Sequence, residues 1–413
     1  MNAFTVGGTI RTTFTTAEEL AKRHDVEIVS VYRRHHEPAL PLPAGVRLRA
    51  LTDLRPETVE RLAARRGPGP RLRHWAAGRP SILMSPHDVR HRTFNQLTDA
   101  NLIRYLVSVR DGVLIGTRPA INLAIARLVA PSVVRIAQDH MNLDTYQPAL
   151  RAQIRDAYPR LDLVSSLTEG DATAYRALLG GRTRVECMPN GVPVLGRRRA
   201  ALDAKVVVAA GRVTRQKGFD RLLPVWAKVS EQHPDWELRI FGRGHASRKL
   251  GRQITRLGIG DSARLMGFTP RLHEELAEAS VYVMTSRREG FPMVLLEAMG
   301  AGLPVVSYDC PTGPRDIVRE GVDGHVVPNG DREALATALS ALMADPGTRK
   351  AYGAAAVKRA ADYDIAEIAA RWESLFAELS ATKGPRRSTA AGPALSLLTA
   401  MGAARARKLV RSR

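Results

Sequence analysis

Short apolar runs alternate with helical periodicity along the second half of the chain. The pattern predicts strands at 206–210, 237–241, 264–266, 281–284, 304–307 and 325–327. Helices are expected between them at 219–231, 247–257, 271–279 and 293–301. Strands that alternate with helices in this way indicate βαβ units and a parallel sheet. The second half is therefore expected to form one complete doubly wound α/β domain.

The first half shows the same alternation with less regular spacing. Its predicted strands lie at 26–31, 113–115, 133–137, 161–165 and 184–188. A turn-rich connection containing Pro189, Gly191 and Pro193 follows them. Since 413 residues exceed the roughly 250–300 that one core supports, we expect a second Rossmann-like domain in the first half.

The predicted limits are 1–190 for the first domain, 191–204 for a linker and 205–362 for the second domain. A further helix is expected at 363–380, followed by a basic tail at 381–413. Residues 65–80 are rich in Gly, Pro and basic side chains, which predicts a loop or a short basic helix. At 395–413 apolar residues alternate with Arg and Lys. As a helix this stretch would suit an anionic membrane, and a solvated tail is the alternative.

Composition is that of a soluble globular protein, with 44% hydrophobic and 25% charged residues. The two cysteines, Cys187 and Cys310, form neither a disulfide framework nor a metal-ligand spacing, which fits a reducing compartment. Arginines interrupt the most apolar region, 113–137, and the N-terminal sequence lacks the apolar core of a signal peptide. We therefore predict a cytoplasmic protein.

The formal net charge is +21, from 62 Lys and Arg against 41 Asp and Glu. Such a charge attracts polyanions or an anionic membrane surface. The excess is mostly Arg and Ala is abundant, so a compositional bias of the coding sequence explains it equally well. The charge therefore bears on partners and not on the fold.

A basic loop follows the first strand of the second domain, with the sequence Gly211-Arg212-Val213-Thr214-Arg215-Gln216-Lys217-Gly218. Ligands of open α/β sheets bind at the carboxyl ends of the strands, so Arg212 and Lys217 are candidates for binding phosphate. Their charges could stabilise a departing diphosphate without a metal. A loop that is merely solvated is the alternative.

Two carboxylates accompany a helix start in Glu289-Gly290-Phe291-Pro292-Met293-Val294-Leu295-Leu296-Glu297. Pro292 suits the first turn of a helix, and the backbone amides of that turn form an anion site. Glu289 precedes the helix and Glu297 lies just over one turn inside it, so both can face one cleft and bind vicinal hydroxyls. A helix with Glu at each end is also common without any function.

These two motifs resemble glycosyltransferase family four. The resemblance continues through Phe241-Gly242-Arg243-Gly244, Met266-Gly267-Phe268, Glu297-Ala298-Met299-Gly300-Ala301-Gly302-Leu303-Pro304-Val305-Val306 and Gly324-His325-Val326-Val327-Pro328. It implies the GT-B fold, with two Rossmann-like doubly wound domains facing a cleft, and transfer with retention of anomeric configuration. The first domain would be the acceptor side, the second would bind the nucleotide sugar, and the helix at 363–380 would cross back to the first.

The resemblance also implies roles for single residues. Arg212 and Lys217 would bind the donor diphosphate, Glu297 the ribose hydroxyls and Glu289 the transferred sugar. His140, at the end of a strand in Gln138-Asp139-His140, matches a histidine that the family places beside the reacting sugar; a structural histidine is the alternative. Further donor contacts are expected from Gly7, Gly8, Gly267, Phe268, Gly290, Phe291, Pro292, Met293 and Val294. The expected catalytic residues are thus Glu289, His140, Arg212 and Lys217, with no metal and no cofactor besides the donor substrate.

The expected function is that of a retaining hexosyltransferase that uses a nucleotide-diphosphate sugar. The basic residues from Arg61 to Arg79 and the basic tail suit a phosphate-bearing or lipid-linked acceptor of the cell envelope, at the inner face of the cell membrane. Nucleic acid is not an expected partner. One alternative is a nucleotide-sugar epimerase, which would turn over without an acceptor. The other is a polyanion-binding protein on a catalytically dead GT-B scaffold, whose binding would depend on salt.

One departure from the family pattern concerns the N-terminus. The family places an apolar strand before its glycine loop, whereas six residues precede Gly7 here. Loss of a central strand would leave its neighbours without ladder partners. We therefore expect the native chain to begin further upstream, which the intact mass of native protein would test.

Overall fold

The computed structural model describes residues 3–5, 7–193 and 198–383. They divide into two compact units. The first contains the described residues of 1–166, 171–187 and 369–413, and the second those of 167–170 and 188–368. The tail segment for which a basic amphipathic helix was considered, 395–413, lies outside the described residues.

Two parallel sheets that share no ladder within the described residues form the first unit. One pairs β1 (Val26–Ser30) with β2 (Val46–Ala50). The other has the order β3, β4, β5, β6, with bounds Val113–Gly116, Val134–Gln138, Leu163–Ser166 and Val185–Cys187. The apolar runs alone do not predict β2, in which every second residue is apolar and two arginines lie between them. Such alternation is typical of a half-buried strand.

Helices surround the strands of the first unit. In chain order they are α1 (Gly8–Ala21), α2 (Pro56–Ala64), α3 (Pro68–Ala77), α4 (Gln96–Ser108), α5 (Pro119–Leu128), α6 (Pro148–Ala157) and α7 (Glu169–Leu179). The segment 65–80 is thus mainly the helix α3, the second of the two structures expected there. A capping box begins α4, because Asn95 accepts from the amide of Thr98 at 2.9 Å and Thr98 accepts from the amide of Asn95 at 2.9 Å.

The sheet of the second unit is parallel along every ladder that the described residues form. Its strands are β7 (Val206–Ala210), β8 (Glu237–Phe241), β9 (Ala263–Gly267), β10 (Val281–Met284), β11 (Val305–Asp309) and β12 (Gly324–Pro328). Their order is β12, β11, β10, β7, β8, β9. Because β7 lies between β8 and β10, the winding direction changes there, which is where doubly wound sheets bind ligands.

Helices cover this second sheet as the alternating pattern predicts. They are α8 (Phe219–Gln232), α9 (Ser247–Leu257), α10 (Leu272–Ala277), α11 (Met293–Gly300), α12 (Pro314–Ile317), α13 (Arg332–Ala344) and α14 (Pro346–Ala361). The central strands are buried on both sides, as continuous apolar runs such as β7 require. Within the part of the chain that is described, no helix combines the length and the apolar character needed to cross a membrane.

The last described helix, α15 (Ile365–Ala381), begins in the second unit and belongs to the first unit from residue 369 onward. Its Glu373 accepts from Arg23 at 2.7 Å, and its Glu378 accepts from Arg184 at 2.6 Å. Lys383, just beyond the helix, lies 2.7 Å from Asp162. These ion pairs attach the end of the described chain to the first unit.

Candidate active site

The loops that follow β7 and β10 lie side by side because these strands are neighbours in the sheet. Arg287 donates to both carboxylate oxygens of Asp220, at 2.8 and 2.7 Å. The amide of Arg287 also donates to the carbonyl of Gln216 at 2.7 Å, and the Gln216 side chain donates to the carbonyl of Arg288 at 3.0 Å. This bidentate pair and the two backbone contacts fix the spacing of the two loops.

Two glycines let the strand ends approach closely. A Cβ atom on Gly218, where φ is +70°, would lie 1.9 Å from the carbonyl oxygen of Thr285. A Cβ atom on Gly242, where φ is +139°, would lie 1.8 Å from the carbonyl oxygen of Gly211. Both the positive φ and the lack of space require glycine. The close packing brings the loops after β7, β8 and β10 to one edge of the sheet.

A buried ion pair joins the two predicted motifs at this edge. Lys217 Nζ lies 2.7 Å from Oε1 of Glu289, and the two side chains are only 17% and 8% exposed. Ser286 Oγ donates to the same carboxylate oxygen at 2.5 Å. A Cβ on Gly211 would lie 3.1 Å from Cε of Lys217, so the missing side chain at this position leaves room for the lysine to lie across the loop.

The backbone of Glu289 is held as firmly as its side chain. Its amide donates to the carbonyl of Pro311 at 2.9 Å, and its carbonyl accepts from the amide of Thr312 at 3.0 Å. Both partners lie in the loop after β11, the next strand of the sheet. The carboxylate therefore has a fixed position before any ligand binds.

The start of α11 follows Glu289 directly. The amide of Met293 donates to the carbonyl of Phe291 and the amide of Leu295 to the carbonyl of Pro292, both at 2.9 Å. The first turn is therefore tight, and it already uses the Met293 amide within the chain. Glu297 lies half-buried on the next turn.

Tyr282 on β10 lies close enough to both Glu289 and Glu297 to feel their charges, so the two glutamates belong to one region of the second unit. Burial raises the pKa of the Tyr282 phenol above its ordinary range, and the charges of Glu297 and Glu289 raise it further. The hydroxyl of Tyr282 donates to the carbonyl of Ala210 at 3.2 Å, which ties β10 to the end of β7. The arrangement is a cationic loop beside two carboxylates, suited to a ligand that carries both phosphate and vicinal hydroxyls.

Cys310 lies next to this pair. Burial raises the pKa of its thiol to about 12, the charge of Glu289 adds to this, and Lys217 and Arg221 oppose it. The thiolate is the nucleophilic form of cysteine. Cys310 is therefore a thiol at neutral pH and not a candidate nucleophile.

The remaining predicted residues of the second unit lie at the same edge of the sheet. Arg212 is exposed, between β7 and the short turn Arg215–Lys217 that carries Lys217. Gly267 ends β9, and its carbonyl accepts from the amide of Gly242 at 2.7 Å. Phe268 follows with 63% of its surface exposed, an unusual position for a large apolar ring and one that suits stacking against a ligand.

Arg221 and Ser286 are contributors that the sequence motifs do not indicate. Arg221 donates to the carbonyls of Thr285 and Ser286, both at 2.8 Å, and its guanidinium lies 4.7 Å from the ring centroid of Tyr308. It thereby fixes the end of β10. A first-turn helix arginine gives no sign of this role in the sequence, since the contact depends on β7 and β10 being neighbours.

Gly7, Gly8 and His140 belong to the first unit, whereas the residues described above belong to the second. Gly7 precedes α1 and Gly8 begins it. A Cβ on Gly7 would lie 4.0 Å from its nearest neighbour, Cδ1 of Ile10, and a Cβ on Gly8 would have no neighbour within 4 Å. Packing within the described chain therefore requires glycine at neither position.

His140 follows a buried carboxylate, Asp139, at the end of β4. Asp139 accepts from Asn122 at 2.9 Å, from Tyr158 at 3.0 Å and from the hydroxyl of Tyr175. Burial raises the pKa of Asp139 to about 6, against the effect of these hydrogen bonds. Burial also lowers the pKa of His140 to about 4, so its imidazole is neutral at pH 7. The sequence motifs miss the Asp139 cluster, because its members are 17 to 36 positions from Asp139.

Comparisons with known proteins show what this chain is similar to. The family model of glycosyl transferases group 1 matches residues 181–359. The chain is 36% identical over 389 residues to the exopolysaccharide phosphotransferase of Streptomyces coelicolor, and the match covers 92% of the chain but 40% of that protein. It is 32% identical over 285 residues to the amylovoran biosynthesis glycosyltransferase AmsD of Erwinia amylovora, covering 66% of the chain and 80% of that protein. The chain thus spans less than half of the first relative and most of the second.

A solved structure, HepE of Anabaena in complex with UDP, is similar with a TM-score of 0.70 at 16% identity, covering 91% of this chain and 98% of that chain. The likeness shows that the two Rossmann-like units form the GT-B fold. The sequence match to AmsD, which covers most of that protein, assigns the family. The chain belongs to the glycosyl transferases group 1.

Proposed function

We propose that this chain is a retaining glycosyltransferase that moves a hexose-type sugar from a nucleotide-diphosphate sugar to an acceptor of the cell envelope. The observation that carries the proposal is the contact between Lys217 and Glu289 at the switch point of the second sheet. It places a cation for phosphate and a carboxylate for sugar hydroxyls side by side, with Arg212 on the same loop. This is the pairing that a nucleotide-diphosphate sugar requires.

In the proposed reaction the acceptor hydroxyl attacks the anomeric carbon. The bond from that carbon to the diphosphate oxygen breaks, a bond to the acceptor oxygen forms, and the acceptor proton goes to the departing phosphate. Arg212 and Lys217 stabilise the charge that develops on the leaving diphosphate, together with the amides of Phe291 and Val294 at the start of α11. We propose that these cations replace a metal and that no cofactor takes part.

The other residues are proposed to bind and orient the donor. Glu297 binds the ribose hydroxyls and Glu289 the transferred sugar, with Gly290 and Pro292 beside it. Phe268 and Gly267 border the base. On the first unit, Gly7 and Gly8 admit the donor without obstructing it, and His140 lies beside the reacting sugar, which is also where the acceptor binds.

The proposed acceptor is a phosphate-bearing or lipid-linked polymer or precursor. The names of the two relatives support a polymer, since one refers to exopolysaccharide and the other to amylovoran biosynthesis. Charge supports an anionic partner. The helices α2 and α3 and the turn after them present an exposed basic surface, formed by Arg61, Arg65, Arg66, Arg71, Arg73, His74 and Arg79. We call these residues the basic surface, and propose that it contacts an anionic membrane at its inner face.

The experiment for this function is an incubation of the full chain with a panel of nucleotide sugars. Release of nucleoside diphosphate that requires an added polymer or lipid-linked acceptor, with the product linkage assigned as retained by NMR, supports the proposal. Conversion of the donor sugar without an acceptor would indicate the epimerase instead. No turnover with any donor, together with salt-sensitive polyanion binding, would indicate the dead scaffold.

A further inference from the structure

Of the buried polar atoms that lack a hydrogen-bond partner among the described residues, three belong to residues within two positions of the ends of β3 and β4. They are Oγ1 of Thr117, Nε of Arg118 and Nε2 of His140. Thr117 and Arg118 follow β3, His140 follows β4, and the two strands are paired with Gly116 opposite Ala137. All three side chains therefore belong to the carboxyl ends of adjacent parallel strands, which is where α/β sheets bind ligands.

The guanidinium of Arg118 has a buried nitrogen, but its hydrogen bonding within the described chain is weak. Its Nη2 reaches Oδ1 of Asp88 at 3.4 Å, and that oxygen already accepts from the amide of Arg90 at 2.7 Å. A guanidinium has five N–H donors. A buried donor without an acceptor is unfavourable, and the Arg118 side chain as a whole is 31% exposed, so this cation is open to the acceptor oxygens of a ligand.

The neighbouring carboxylate does not supply them. Arg118 is near enough to Asp139 to lower its pKa, yet the two oxygens of Asp139 accept from Asn122, Tyr158 and Tyr175. Arg118 likewise lowers the pKa of Tyr146, which burial, first of all, raises. The described groups around Arg118 thus leave most of its N–H donors available to a ligand.

Thr117 and His140 extend this donor set. A hydroxyl both donates and accepts, and a neutral imidazole can carry its proton on Nε2 and donate from it. The next helix, α5, begins at Pro119 directly after Arg118, and its first-turn amides add to the positive potential there. Together, a guanidinium, a hydroxyl and an imidazole can donate several hydrogen bonds, which suits a ligand group with several anionic oxygens.

We propose that Arg118, with Thr117 and His140, binds one anionic group of the acceptor, a phosphate ester or a carboxylate. The inference rests on the proposed function, since it names the chemistry of the acceptor for that transfer. The anion would thus be bound at the carboxyl ends of β3 and β4 in the first unit. The basic surface on α2 and α3 is a separate feature.

The test is calorimetric titration of the full chain, without nucleotide, with glycerol 3-phosphate, glucuronate and glucose. We expect one or both anions to bind and glucose to bind far more weakly. The variant Arg118→Gln should weaken anion binding by roughly tenfold or more, the loss typical of a charged hydrogen bond. Arg160→Gln, an exposed arginine of the same unit, should leave it unchanged. Preference for glycerol 3-phosphate would assign a phosphate ester, and preference for glucuronate a carboxylate.

Absence of anion binding to the wild-type chain, or equal binding to Arg118→Gln, would overturn the inference. If Arg118→Gln does not fold, Arg118→Lys takes its place, and partial binding is expected because lysine keeps the charge and loses the fork. A nucleoside diphosphate should still raise the melting temperature of the Arg118 variants. That readout separates failure of this site from failure of the proposed transferase function.

Discussion

Lys217 Nζ lies 2.7 Å from Oε1 of Glu289, and the contact joins two residues 72 positions apart in the sequence. They meet because β7 and β10 are neighbours, and Arg287, Arg221 and the glycines hold the loops in place. Both side chains are largely buried, so removing either one leaves the charge of the other without its partner. The pair keeps a cation and an anion in fixed positions before a donor binds.

The first prediction concerns the charge of Glu289. Glu289→Gln keeps the size of the side chain and an acceptor for Ser286, but removes the negative charge. We expect sugar transfer to fall by roughly 100-fold or more, the scale of losing one preorganised polar group at a reacting centre. Steady-state assays with the nucleotide sugar that the full chain accepts would measure it.

The matched control is Glu333→Gln. Glu333 also pairs with a lysine, Lys228, but their side chains are 75% and 51% exposed. We expect that variant to keep full activity and to change stability by no more than about 0.5 kcal/mol. Equal activity of Glu289→Gln and the wild type would contradict the role given to Glu289.

A second prediction uses two glycines with opposite surroundings. Gly242→Ala would bring a Cβ to within 1.8 Å of the Gly211 carbonyl and force the loops apart. We expect a loss of at least about 2 kcal/mol in the free energy of unfolding and weaker nucleotide binding. Gly251→Ala, inside α9 with no atom within 4 Å of its Cβ, should instead stabilise by about 0.5–1 kcal/mol. Urea denaturation of both variants would check this, and a neutral Gly242→Ala would count against the close packing.

The sequence predicts much of the second unit because short apolar segments alternate there with helical periodicity. Strand limits there agree with the structure to within two residues. Arg212, Lys217 and Glu289 are likewise recognisable from their motifs. The roles of Ser286 and Arg221 are not, since each acts through contacts that only the order of the sheet creates. In the first unit, the arginines on the exposed face of β2 interrupt its apolar residues, so β2 does not read as an apolar run. The Asp139 cluster has no short sequence spacing by which to identify it, because its members are far apart along the chain.

The third prediction is that Asp139 and His140 give opposite pH dependence to stability. The folded-state pKa of Asp139 is raised from 3.8 to about 6, so its contribution falls as pH rises through that interval. The folded-state pKa of His140 is lowered from 6.5 to about 4, so its contribution rises as pH increases from about 4 to about 6.5. In the wild type the two effects, each at most about 3 kcal/mol, largely cancel.

Single variants should reveal each effect. Relative to the wild type, Asp139→Asn should gain stability as pH rises from about 4 to about 6, because the rising His140 term is then unopposed. His140→Gln should lose stability over the same range. Unfolding free energies from urea titrations between pH 4.5 and 7 would show the two slopes. Parallel pH profiles for all three proteins would contradict the pKa assignments.

The fourth prediction concerns the basic surface. Trp75 lies on α3 with 41% of its surface exposed, whereas Trp226, Trp236 and Trp372 are buried, so a change in tryptophan emission reports chiefly on Trp75. Vesicles of phosphatidylglycerol should shift the emission to the blue and bind the chain, and vesicles of phosphatidylcholine should not.

The double variant Arg71→Gln, Arg73→Gln should weaken vesicle binding by roughly tenfold or more, since each arginine near an anionic surface contributes about 1 kcal/mol. Arg248→Gln together with Arg252→Gln, on α9 of the second unit, removes the same charge and serves as control. Equal loss in both variants would mean that net charge, and not the basic surface, directs binding.

The melting temperature of the full chain with a panel of nucleoside diphosphates and nucleotide sugars tests most directly whether the second unit binds a nucleotide-sugar donor. A ligand that binds the native state raises the melting temperature by mass action. We expect a shift with the nucleotides of one base, reduced in Arg212→Ala and Glu297→Ala and retained in Glu333→Gln. No shift with any nucleotide, or an equal shift in all three variants, would contradict a donor site at the ends of β7 and β10.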